Sequence, residues 1–171
     1  MSATLIISVM TDDKPGLVET LARIINEHQG NWLASQMAQM AGKFAGILQV
    51  AVSQDHSAAL ITALEALNKQ GWKVMVDNSQ VAPKVQTQDY RLSVVGNDRP
   101  GIVREVSQTL AKNGVNVLKL NTDCESAAMS AEALFKAEIL MRMPADFDVD
   151  DLASQLENLS NDMMVDIKFG R

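Results

Sequence analysis

The four residues Asp13-Lys14-Pro15-Gly16 recur as Asp98-Arg99-Pro100-Gly101, 98 − 13 = 85 positions further on. Around them "LIISVMTDDKPGLVETLARIINEHQGNWL" lies over "YRLSVVGNDRPGIVREVSQTLAKNGVNVL", so Ser8, Val9, Val18 and Leu33 meet Ser93, Val94, Val103 and Leu118. Later the offset widens: Phe44 meets Phe135 at 135 − 44 = 91, so 91 − 85 = 6 residues are inserted before Phe135, in "CESAAMSAEAL". A long-period repeat means that one supersecondary unit has been copied, which limits the folds more than any other feature of the chain. The 171 residues, which by length would make one domain, therefore divide into a first domain at 1–79, a polar linker at 80–89 and a second domain at 90–171.

Each half has one order of elements. Leu5–Met10 and Arg91–Val95 read as strands, followed by Pro15 and Pro100 at a helix start, where a missing N–H costs nothing. Leu17, Leu21, Ile24 and Ile25 then recur on one helical face, as do Ile102, Val106 and Leu110. A Gly-containing turn leads to two strands, the second alternating through Phe44, Leu48, Val50 and Val52 or Phe135, Ala137, Ile139, Met141 and Met143. A second helix carries Leu60, Leu64 and Leu67 or Val149, Leu152, Leu156 and Leu159, before a last strand at Trp72–Val76 or Met163–Phe169. The fold class is α+β: two ferredoxin-like βαββαβ domains in tandem. Both helices would lie on one sheet face, leaving the other uncovered, with Trp32, Ala34, Ala45, Ile47 and Ala51 on it in the first half. Such a face needs a partner or some tolerance of exposure, and with open edge strands it invites side-by-side pairing within the chain and a homo-oligomer.

Composition removes several function classes. The net charge is −6 and the fifteen Lys and Arg form no basic stripe, which argues against direct nucleic-acid contact. No run approaches about eighteen apolar residues and the N-terminus has no basic segment before its apolar run, so neither a membrane span nor a signal peptide is expected, and the location expected is cytoplasmic. A single cysteine, Cys124, excludes an internal disulfide, and it has no base beside it in sequence. His28 and His56 lack metal-ligand spacing; His28 suits a helix end instead. Met37, Met141, Met143 and Met163 fall at strand-alternation positions and read as core filling, while Asp146, Asp148, Asp150 and Asp151 read as a helix start. No nucleophile, base and orienter assemble, so no catalysis and no cofactor are expected.

The repeated turn is the candidate binding site. A helix start offers unpaired N–H groups and partial positive charge, which suit a carboxylate. Gly16 and Gly101 have no side chain to keep a ligand from that backbone. Asp13 and Asp98 can accept hydrogen bonds from an ammonium group, and Asn31 and Asn116, which begin the next strand, can both donate and accept. Together these describe an α-amino acid. Asp13 and Asp98 would equally serve as helix caps, and the sequence leaves both readings open. Where the first copy has Thr11-Asp12 the second has Gly96-Asn97, with more room and one charge fewer, which favours the second turn and adds Asn97 to the candidates.

With βαββαβ and D-[KR]-P-G at its first turn, each half resembles the ACT family of amino-acid-sensing domains. The stretch "AMSAEALFKAEILMRMPADFDVDDLASQLENLSNDMMVDI" is similar to tandem-ACT regulators of glycine-cleavage genes. The resemblance implies a small amino-acid effector, glycine among the candidates, bound at the turn and neighbouring strand. It also implies a protein partner, a transcription factor, through which a non-catalytic regulator acts. The alternative is the regulatory subunit of an amino-acid or folate-metabolising enzyme.

Overall fold

The computed structural model describes residues 2–78, 87–126 and 133–170. The chain forms two compact units, Met1–Pro83 and Lys84–Arg171. The first contains β1 (Ser2–Asp12), α1 (Leu17–Glu27), β2 (Asn31–Met40), β3 (Lys43–Ser53), α2 (Gln54–Glu65), a 3₁₀ turn at Ala66–Gln70 and β4 (Lys73–Asn78). The second contains β5 (Thr87–Asn97), α3 (Ile102–Lys112), β6 (Asn116–Ser126), β7 (Ala133–Pro144), α4 (Val149–Glu157) and β8 (Met164–Phe169). The sheet orders are β2-β3-β1-β4 and β6-β7-β5-β8, every pairing antiparallel, which is the ferredoxin-like arrangement expected from the repeat. Thr87 to Asp89, expected as linker, instead form the start of β5 and pair with Pro144 to Arg142. The rest of the linker, and most of the hairpin insertion, lie outside the described residues.

Each unit has its own core. Leu5, Ile7 and Val9 pair with Val50, Leu48 and Gly46, and this face of the sheet packs under Leu21, Ile25, Leu60 and Leu64. In the second unit Leu92 and Val94 pair with Ile139 and Ala137 beneath Val106, Leu110, Leu152 and Leu156. A fully buried Leu contributes about 1.5–3 kcal/mol relative to exposure, so these faces fix the strand registers. Met141 and Met143 are fully buried, Met163 lies in the same core and Met37 packs against the first, as their alternation suggested.

The register corrects one expectation. Trp32 pairs with Val50, then a bulge at Leu33 intervenes and Ala34 pairs with Gln49. The extra residue reverses the phase of the strand. Trp32 therefore packs against the helix-side core, and only Ala34, Ala45, Ile47 and Ala51 of the expected set share the face turned away from the helices. The same shift occurs in β6 at Leu118, between Val117 and Lys119.

Candidate functional site

Both repeated turns follow the C-terminal end of the first strand of their unit and are tied there by backbone. The Asp13 N–H donates to Gly42 O at 3.0 Å, and the Asp98 N–H donates to Ala133 O at 2.8 Å. The chain then turns through Gly16 (φ 89°, ψ 6°) or Gly101 (φ 92°, ψ −4°), and these residues, not the aspartates, are the N-caps of α1 and α3. Pro15 and Pro100 accordingly stand one residue before the cap and not in the first turn. A left-handed cap is the reason for glycine at these two positions. A Cβ would meet nothing within 4 Å at either, so close packing is not the reason.

No side chain caps α1 or α3, which removes the reading of Asp13 and Asp98 as helix caps. By contrast the Asp148 carboxylate, from the acidic run, does cap α4, accepting from the Asp151 N–H at 3.0 Å. His28 stands at the C-cap of α1 with Nδ1 2.8 Å from Ile24 O, the helix-end role expected of it. Among the described residues no cluster of three His, Cys, Asp or Glu could hold a metal ion, and no helix is long and apolar enough to cross a membrane.

At the first turn Asp13, Lys14, Gly16, Leu17, Val18, Glu19 and Phe44 line an open cleft of about 330 Å³. Asp13 and Gly16, two of the expected site residues, are thus brought together at an uncapped helix start, with Lys14 beside them. Thr20 closes the first helical turn, donating from its N–H and hydroxyl to Gly16 O at 3.0 and 2.9 Å. Asp12 is bonded to Lys43, and this hydrogen bond and charge hold its carboxyl below the usual carboxylate range.

The second turn is built differently. Arg99 makes a two-pronged bond to Glu105, 2.8 and 2.6 Å, which lowers the Glu105 carboxyl's affinity for protons and raises that of the guanidinium. Gly96 is buried beside Asp162 and Met163, and the Asn97 N–H donates to the Asp162 carboxylate at 2.6 Å. The room anticipated at Gly96-Asn97 is therefore taken by the loop before β8, and Asp162 returns the negative charge that Asn97 lacks. Hydrogen bonds from Ser160 and from the Asn97 N–H keep Asp162 ionised below the usual range.

Asp98 also has a neighbour that the sequence did not reveal. The Cys124 thiol is hydrogen-bonded to its carboxylate, and desolvation, then the Asp98 charge and that bond, push the thiol above its ordinary value. Cys124 pairs with Phe135 near the C-terminal end of β6, as Gln39 pairs with Phe44 in the first unit. Asn31 and Asn116, on the other hand, are not brought to the turns of their own units. Asn31 pairs with Ala51, which pairs with Thr4, eight residues up β1 from Asp12, or roughly 26 Å at about 3.3 Å per residue. Asn116 pairs with Arg142, opposite Asp89, at the corresponding far end of the second sheet.

Comparison with known proteins agrees with this architecture. The ACT domain family matches residues 3–77 and again residues 90–161. A comparison with curated proteins finds no match. Among solved structures, an unknown protein from Galdieria sulphuraria is 25% identical with a TM-score of 0.84, covering 100% of both chains. A second, whose name assigns it provisionally as a glycine cleavage system transcriptional repressor, is 18% identical with a TM-score of 0.70, covering 100% of this chain and 99% of the other, a likeness of fold. The regulatory subunit of aspartate kinase from Thermus thermophilus is 14% identical over 91% of each chain with a TM-score of 0.40, too loose to carry an argument. The chain belongs to the ACT-domain family, with two such regulatory domains in tandem.

Proposed function

We propose that this chain is an amino-acid-sensing regulator without catalytic activity of its own, acting on transcription through a partner regulator. The observation that carries the reading is the uncapped start of α1 in an open cleft, with the exposed Asp13 carboxylate on its rim. A ligand carboxylate satisfies the unpaired N–H groups of the first helical turn, with Lys14 adding charge, and Asp13 receives the ammonium group. Gly16 belongs to this site by holding the turn open. At the second turn Asp98, Gly101 and Asn97 offer the same elements, but Arg99 is engaged by Glu105 and Asp98 by Cys124, so the first turn is the better site. Asn31 and Asn116 take no part at the turns of their own units. The ligand would act by binding one arrangement of the protein better than another and so changing its affinity for the partner.

Isothermal titration with glycine and other amino acids at millimolar concentration tests this reading. Binding is expected, weakened about tenfold or more by Asp13→Ala, in keeping with a lost charge-assisted hydrogen bond. Absence of heat and of thermal shift with every amino acid would remove the sensor function. Copurification from extract then separates a transcription factor from a catalytic polypeptide as the partner.

A further inference from the structure

The two sheets present opposite chemistry on the faces turned away from their helices. In the second, Arg91, Lys119, Lys136, Glu138, Asp166 and Lys168 lie there, a surface suited to water. In the first, Ile6, Ser8 and Met10 lie opposite Gln49, Ile47 and Ala45, and Met75 flanks Ser8 from β4. Ile47 is 54% exposed and Met75 74%, so the patch is large side chains left open. Charges on this face are few. Asp12 and Lys43, at one end, are bonded to each other. Among the described residues the others are Lys73 and Asp77, both on β4, two residues to either side of Met75 and not bonded to one another.

We infer that this face of the β1–β4 sheet is an interface between two copies of the chain, packed face to face about a two-fold axis crossing β4 at Met75. That axis runs in the plane of the interface and across the strands. It sets Lys73 of each copy opposite Asp77 of the other, so the face's two unpaired charges satisfy each other twice while uncharged surface meets uncharged surface. A different partner would need an uncharged face and also two charges in the reverse order at the same spacing; a second copy supplies both by symmetry. The area suffices. Its strands of 11, 10, 11 and 6 residues, about 4.8 Å apart and rising about 3.3 Å per residue, cover roughly 600 Å² per copy, or about 1,200 Å² in total, where specific interfaces begin. Three methionines on the face, Met10, Met40 and Met75, adapt readily to an opposing surface. This inference is independent of the effector site.

Sedimentation velocity of the full chain, from micromolar to hundred-micromolar concentration and without added amino acids, provides the test. The wild type is expected to dimerise. Met75→Asp, at a position too exposed to threaten folding, should weaken the dimer at least a hundredfold with an unchanged circular dichroism spectrum. Lys73→Asp places like charges together and should weaken it about tenfold, and combining it with Asp77→Lys should return the affinity to within a few-fold of wild type. A wild type that stays monomeric, a dimer indifferent to Met75→Asp, or a charge exchange that fails to restore association overturns the two-fold pairing. So does a monomer whose Met75→Asp variant loses a different copurifying protein, since the face would then belong to that partner.

Discussion

Gly16→Ala isolates the backbone conformation of the first turn from everything else there. The added methyl group enters open space, because a Cβ at residue 16 meets nothing within 4 Å. Any loss of stability therefore comes from φ, which at 89° lies in the left-handed region. Holding an L-residue there costs roughly 1–2 kcal/mol. For a unit of this size each kcal/mol moves the melting temperature by about 4–8 °C, so the first unit should melt about 4–16 °C lower. The chain has two tryptophans, Trp32 and Trp72, both in the first unit, so tryptophan fluorescence follows that unit's unfolding. Asparagine, which tolerates the left-handed region better, should lose less than alanine. A melting temperature within about 1 °C of wild type for Gly16→Ala, or an asparagine variant less stable than the alanine one, would refute the conformational argument.

The caps and the thiol give two further tests. Asp148→Ala should cost about 1 kcal/mol of stability through the lost cap of α4, whereas Asp13→Ala and Asp98→Ala, which cap nothing, should leave thermal unfolding unchanged; equal losses at all three would contradict the assignment of the caps. Cys124 alkylation followed against pH should show a midpoint above the ordinary thiol value of about 8.5, because desolvation, and after it the Asp98 charge, opposes thiolate formation. Asp98→Asn removes that charge, so the midpoint should fall and alkylation at pH 8 should accelerate; an unchanged profile would mean that Cys124 does not sense Asp98.

The order of elements and both cores were legible in the sequence because they rest on periodicity. Leu48, Val50 and Val52 alternate, Leu17, Leu21 and Ile24 recur at helical spacing, and the copying of both patterns reinforced each. What stayed hidden depends on events that leave no periodic trace. The bulges at Leu33 and Leu118 reverse a strand's facing within one residue, so Trp32 was assigned to the wrong side. Asp before Pro-Gly has the composition of a cap, but the left-handed glycine moves the cap three positions along and leaves the carboxylate exposed. Asn31, as the first residue of the next strand, was expected to attend the turn, whereas α1 carries the chain back along the sheet before β2 begins. The Cys124–Asp98 and Asn97–Asp162 contacts link residues 26 or more positions apart and emerge only from the register.

The sheet order has a consequence for how such a unit is inherited. In the first unit Leu5, near the beginning of β1, lies beside Asn78, the last residue of β4; in the second, Tyr90 lies beside Phe169, and the Gly170 N–H reaches Asp89 O at 2.9 Å. Chain enters and leaves each unit at neighbouring points on one rim of its sheet. A segment with adjacent ends can be duplicated in a gene or spliced beside another coding region without rethreading its interior. The paired strands at that rim make the unit portable, and two copies joined through a short stretch of chain are what such portability produces.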